Sequence, residues 1–211
     1  MKFYYSTGTC STSCHIALEE AGLPFDPVEV SWKRKVNVEE LEKVNPLGQV
    51  PALVTDSGTE ITQNVAILEY IGDKKPESKL LPRPGTDERA QVSSWLSFAA
   101  SDLQKAFFPI LGAARMTSQE SAHDDLKNFA VRNIEKYLAH LDRKLDGKEY
   151  ITGQQFTVAD AYLFTVIGWC KWAKIKLAPY PNVKAYMKRV SDRPAVKRVL
   201  EKEELGDYLP E

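Results

Sequence analysis

The rhythm of hydrophobic and polar positions changes part-way along the chain. Over the first 75 or so residues, short apolar runs alternate with amphipathic ones. Phe3, Tyr4 and Tyr5 read as a short strand. Residues 11–21 place Ile16, Ala17 and Leu18 on an inward face and stop at Gly22, which predicts a helix. A second strand is expected over 27–30 and a short helix or turn over 38–44. Residues 52–55 and 60–62, on either side of Asp56-Ser57-Gly58, read as a hairpin. Residues 64–73 carry Ala66, Ile67, Tyr70 and Ile71 on one side of a helix. The order βαβ then ββα predicts an α/β domain over 1–75 with a mixed, four-stranded sheet.

Prolines at 76, 82 and 84 with Gly85 then break the pattern, so 76–87 is expected to be a linker. From 88 to 211 every strong signal is helical. Val92, Trp95, Leu96, Ala99 and Leu103 follow a helical period, and Leu126, Phe129, Ile134, Tyr137, Leu138, Leu141 and Leu145 mark a second long helix. Thr157 and Asp160 form a capping-box pattern. The helix they open, with its body at 161–172, is apolar nearly all round and is expected at the centre of an all-helical domain. Two shorter helices are expected near 182–191 and 195–203.

Composition narrows the function classes. The net charge is −1, which gives no electrostatic case for nucleic acid or an anionic membrane. No apolar run approaches the length of a membrane span. The N-terminus reads as a strand rather than a signal peptide. Three cysteines, an odd number, suit a reducing cytoplasm better than a disulfide scaffold. The histidines show no metal-ligand spacing. His15 reads as structural or surface, and His123 and His140 as solvent-facing.

Three features carry candidate chemistry. Cys10 sits where the first strand ends and the first helix begins. Free N–H groups and the positive end of the helix dipole favour a thiolate there. A buried structural role is the alternative. Cys14, one turn on, and Cys170, in an apolar stretch, read as structural. The second feature is the run Asn45-Pro46-Leu47-Gly48-Gln49-Val50-Pro51. A cis Val50–Pro51 bond there would leave Val50 N–H and C=O free to pair with an extended peptide, whereas a trans bond would make Pro51 an ordinary strand opener. The third is Gln63-Asn64. Asn64 is a good helix N-cap, and a helix N-terminus accepts a carboxylate; a purely structural cap is the simpler reading. A short thiol peptide with an α-carboxylate fits all three together.

These motifs resemble the cytosolic glutathione S-transferases, most closely the bacterial beta class. They are Tyr4-Tyr5 followed by Cys10-Ser11 and His15, the segment from Asn45 to Pro51, Gln63-Asn64-Val65-Ala66-Ile67, and Phe156-Thr157-Val158-Ala159-Asp160-Ala161-Tyr162. The resemblance covers essentially the whole chain. It implies a thioredoxin-like, glutathione-binding domain followed by an all-helical domain that supplies an electrophile pocket and dimer contacts.

By position, it implies that Cys10 and Ser11 serve at the sulfur. Val50, next to Pro51, pairs with the cysteinyl backbone, while Gln63 and Asn64 hold the γ-glutamyl end. Lys35 becomes a candidate for the glycyl carboxylate. Ser97 and Asp102 reach a second subunit's glutathione site, and Gln104 and Lys105 line the site. Gln104 stands where the beta class usually carries a histidine, and Cys14 stands where the family has a proline. Glutathione is the co-substrate, with no resident cofactor or metal, and the assembly is a homodimer.

Two chemistries fit the resemblance. One is conjugation of glutathione to a small electrophile. The other is thiol–disulfide exchange through Cys10 with a disulfide substrate. A non-catalytic carrier of apolar ligands, lined by Phe107, Phe108, Trp169 and Trp172, is the alternative from another class.

Overall fold

The computed structural model describes residues 1–211. Four strands, β1 (Lys2–Tyr5), β2 (Asp26–Glu29), β3 (Ala52–Val54) and β4 (Glu60–Thr62), form one sheet in the order β2-β1-β3-β4. β1 and β2 run parallel and the other pairs antiparallel. The parallel pair needs a crossover, which α1 (Ser11–Ala21) provides. α1 ends where predicted, because Gly22 takes a left-handed conformation at φ 62° and its N–H closes the last turn.

Alternation along β1 sends successive side chains to opposite faces. Phe3, paired with Leu53, faces α1 and α3 (Asn64–Lys74). Tyr4 faces the other way, where α2 (Val38–Val44) seats Leu41 against Tyr4, Val28 and Ala52. β2 begins one residue earlier than expected. Val30 lies beyond its end, yet its N–H still bonds to Tyr5 O at 2.7 Å.

After a 3₁₀ turn at Pro76–Ser78 the rest of the chain is helical. α4 (Asp87–Phe98) is capped by the Thr86 hydroxyl, which accepts from Arg89 N–H at 3.2 Å. It runs through a π turn at Ala99–Leu103 into α5 (Gln104–Ala106). α6 (Phe108–Met116), α7 (His123–Lys144), α8 (Val158–Gly168), α9 (Cys170–Ala173), α10 (Pro181–Ser191) and α11 (Pro194–Lys202) follow. α8 is buried along its whole length. Its capping box is formed: Asp160 Oδ2 accepts from Thr157 N–H at 2.8 Å, and Oδ1 accepts from Ile151 N–H at 2.9 Å.

Three expectations are corrected here. The helix expected to continue to residue 172 breaks at Trp169, and Cys170–Ala173 is a separate turn. Phe129 is 56 % exposed, because the inward stripe of α7 is Ala130, Ile134, Leu138 and Leu141. His15 is fully buried among Phe3, Tyr5 and Phe25, not at the surface.

The two halves share a core in which Phe3, Leu53 and Ile67 meet Leu96, Phe107 and Tyr162. That shared packing leaves one cleft open at the edge where α1 and α3 begin. No helix is long and apolar enough to cross a membrane.

Candidate active site

The cleft has a volume of about 580 Å³. One wall comes from the sheet half: Thr9 and Cys10 before α1, Gly48 to Pro51 before β3, and Gln63 to Val65 opening α3. The facing wall is helical and comprises Ala100, Gln104, Lys105, Phe108, Arg115 and Tyr162.

The loop that carries Cys10 is held from behind. Gly8 has φ 70°, and a Cβ there would meet Trp172 at 2.6 Å, so only glycine fits. Its N–H donates to Glu203 Oε2 at 3.0 Å, and its carbonyl accepts from Trp169 Nε1 at 2.9 Å. Glu203, itself buried, also accepts from the Thr12 hydroxyl at 2.7 Å and faces His15 Nδ1 at 2.8 Å. The far end of the helical domain thus sets the position of the thiol loop. His15 acts within this buried network and does not reach the cleft.

Cys10 is the residue before α1, and its sulfur lies 3.7 Å from Val50 O, the direction of a weak S–H donor. Burial pushes its thiol up to about 11. The Gln104 side chain and the N–H groups of Cys10 and Ser11 pull the other way, and burial wins. The expectation of a ready thiolate is therefore corrected: in the empty cleft Cys10 is a protonated thiol. Ser11 offers this sulfur only its N–H. Its hydroxyl accepts from Ser6 N–H at 3.1 Å and lies 2.7 Å from Thr9 Oγ1, so it ties the loop together.

Gln104 follows the π turn directly, and such turns re-aim the residues after them. Tyr162 OH donates to Gln104 Oε1 at 2.6 Å. With its oxygen occupied, the amide presents its NH₂ to the Cys10 sulfur. Tyr162, from the centre of α8, is thus a positioning residue that sequence reasoning did not single out.

The Val50–Pro51 peptide is cis. Val50 N–H has no partner within the protein. The loop before it is shaped by Asn45, whose amide donates to Gln49 O at 2.7 Å and accepts from Leu47 N–H at 3.3 Å. At α3 the cap differs from expectation. Gln63, exposed and at φ 73°, is the N-cap, and Asn64 is the first helical residue. Asn64 turns its side chain inward, donating to Ser13 Oγ at 2.8 Å and accepting from Cys14 Sγ at 3.2 Å. The cleft therefore meets the helix end through backbone N–H groups and the Gln63 side chain.

Four further candidates lie outside this cleft. Lys35 lines a separate shallow depression with Asn37, Glu39 and Lys43, across Trp32 from the cleft. Ser97 and Asp102 are exposed on the outer side of α4 and the π turn. Ser11 is absent from the lining, as its bonded hydroxyl requires. Of the four aromatics considered for a ligand pocket, Phe107 and Trp169 are core, Trp172 packs on Tyr208, and only Phe108 faces the cleft. Trp32 and Arg115 are lining residues without any motif to announce them. No group of three or more His, Cys, Asp or Glu side chains is placed to hold a metal ion.

A thioredoxin-like domain with a thiol at a helix end, closed by a helical domain, defines a two-domain thiol-handling class. Residues 2–73 match the family model "Glutathione S-transferase, N-terminal domain", and residues 102–203 match "Glutathione S-transferase, C-terminal domain". The chain is 37 % identical over 207 residues to glutathione S-transferase GstA of Escherichia coli, covering 97 % of this chain and 100 % of that one. A sphingomonad glutathione S-transferase solved with glutathione superposes with a TM-score of 0.88 at 40 % identity, covering 98 % of this chain and all of the other. A beta-class enzyme of Sphingomonas chungbukensis gives 0.87 at 42 % identity over 97 % of this chain and 100 % of that one. This chain belongs to the glutathione S-transferase family.

Proposed function

We propose that the protein is a glutathione transferase that joins the glutathione thiol to small electrophiles, with Cys10 and Gln104 as hydrogen-bond donors to the sulfur. The observation that carries this reading is the convergence of the Cys10 thiol and the oriented Gln104 amide on one point of a cleft edged by Val50. The extended tripeptide pairs with Val50 N–H and C=O, displacing the Cys10 thiol from the Val50 carbonyl. Its γ-glutamyl carboxylate meets the N–H groups opening α3 and the Gln63 amide. Its glycyl end runs toward Trp32, Asn45 and Gln49.

The glutathione thiol loses its proton to water, and the Cys10 S–H and Gln104 N–H groups stabilise the resulting sulfur anion. The thiolate then attacks the electrophile held against the helical wall. A protonated Cys10 is suited to this donor role. Thiol–disulfide exchange is correspondingly slow, because the attacking species would be the scarce Cys10 thiolate. Ser97 and Asp102, exposed on the outer helix face, serve across the interface of a homodimer. The protein works in the cytoplasm with glutathione as co-substrate and no resident cofactor.

The carrier alternative is not favoured. Only 7 of the 17 lining residues are hydrophobic, and a tight store for an apolar ligand calls for a more apolar wall. The test is turnover of chlorodinitrobenzene with glutathione, followed on the native chain and on Cys10→Ala. Conjugation that weakens but persists in the variant supports the donor role. Conjugation absent from the native chain refutes the reading.

A further inference from the structure

The cleft is lined by 17 residues, and none of them is Asp or Glu, while Lys105 and Arg115 both face it from the helical wall. Neither cation takes part in an ion pair within the protein. Lys105 Nζ lies 5.6 Å from the ring centre of Phe108, so the cationic and aromatic groups form one surface. Arg115 is brought to it by a local break in α6: Gly112 leaves the helical region at φ −166° and ψ 48°. The Arg115 stem rests across that glycine, its Cδ 3.4 Å from where a Cβ would lie.

Resting on the transferase reading above, we infer that the electrophile this protein takes is a carboxylate-bearing aromatic or unsaturated compound. Its anionic group seats on Arg115, with Lys105 adding charge, and its apolar part lies on Phe108. The carboxylates of glutathione do not need these groups. On the track along Val50 both ends of the tripeptide follow the opposite wall, one at the start of α3 and one near Trp32 and Gln49. A guanidinium binds a carboxylate through two parallel hydrogen bonds, which fixes orientation as well as charge. Such a fork holds the reactive carbon toward the sulfur beside Gln104, one residue before Lys105.

The test compares para-(chloromethyl)benzoate with its methyl ester. In both, the glutathione sulfur forms a bond to the benzylic carbon and the carbon–chlorine bond breaks. Chloride leaves with the bonding pair, and the thiol proton passes to buffer. The readout is kcat/KM divided by the uncatalysed rate, for acid over ester. The native chain should favour the acid by about tenfold, the size of one charge-assisted contact. Arg115→Gln should bring the ratio close to one, and Arg115→Lys should keep a part of it.

A native ratio near one overturns the inference without needing any variant. A ratio that survives Arg115→Gln overturns it too. So does a rise in KM for glutathione in Arg115→Gln with the ratio intact, which would make Arg115 a seat for the tripeptide. Conjugation of neither compound, nor of chlorodinitrobenzene, refutes the transferase reading itself and is distinct from equal conjugation of both.

Discussion

The two walls of the cleft present different kinds of group. The sheet-side wall offers backbone: Val50 N–H and C=O, and the N–H groups that open α3. The helical wall offers side chains: Gln104, Lys105, Phe108, Arg115 and Tyr162. Backbone groups follow from the path of the chain and survive most changes of side chain. Side-chain groups each depend on one residue carried by its own element. The first wall should be tolerant of substitution and the second sensitive to it. Behind both, Glu203 ties the thiol loop to the helical domain.

The most damaging single change should be Glu203→Ala, which breaks the tie itself. It strands the Gly8 N–H, the Thr12 hydroxyl and His15 in a buried site. We expect a loss of about 3–5 kcal/mol in urea unfolding, the usual cost of orphaning buried charged partners. A loss under ~1 kcal/mol, the level of an exposed ion pair, would show that the loop holds its shape unaided.

On the helical wall, Gln104→Leu removes the oriented donor. We expect kcat for conjugation to fall by about a hundredfold, with KM for glutathione changed far less. Tyr162→Phe should cost about tenfold and add nothing to Gln104→Leu, because Tyr162 acts through Gln104. Independent losses in the double variant would contradict that chain of action. Cys10→Ala should also cost about tenfold in kcat while leaving measurable turnover, as befits a lost neutral donor. Complete loss would make the thiol a nucleophile after all.

The smallest effect belongs to the sheet-side wall. Val50→Ala keeps the N–H and C=O that read the peptide, so KM for glutathione should move by less than about threefold. A tenfold rise would collapse the distinction between the walls.

The same contrast governs how much was legible in the sequence. Helix bounds such as Ser11–Ala21, with its Gly22 stop, and the Thr157–Asp160 box are local signals, and the structure carries them where expected. The motifs at Cys10, Val50-Pro51 and Gln63-Asn64 converge on one cleft. Other features depend on tertiary packing. The π turn before Gln104 and the break at Gly112 that delivers Arg115 have no period or motif of their own. Asn64 reads locally as a cap, yet the arrival of Ser13 and Cys14 from α1 turns its amide inward. Lys35 belongs to a basic run whose path could be settled only by the fold. The thiolate argument for Cys10 counted the helix end and omitted desolvation, which comes from the other wall.

That raised thiol has a sign that can be checked. From the ordinary cysteine value of ~8.5 up to about 11, the folded state keeps a proton that the unfolded chain has lost. Stability from Cys10 should therefore decline as pH rises through that window.

The most direct measurement is the rate of iodoacetamide alkylation at Cys10 in the free protein against pH, read by peptide mass spectrometry. A protonated donor predicts a rate that climbs steadily from neutral pH toward 11 with no plateau on the way. A rate already high and flat from neutral pH upward would show that the helix end holds a thiolate, and would return Cys10 to the role of nucleophile.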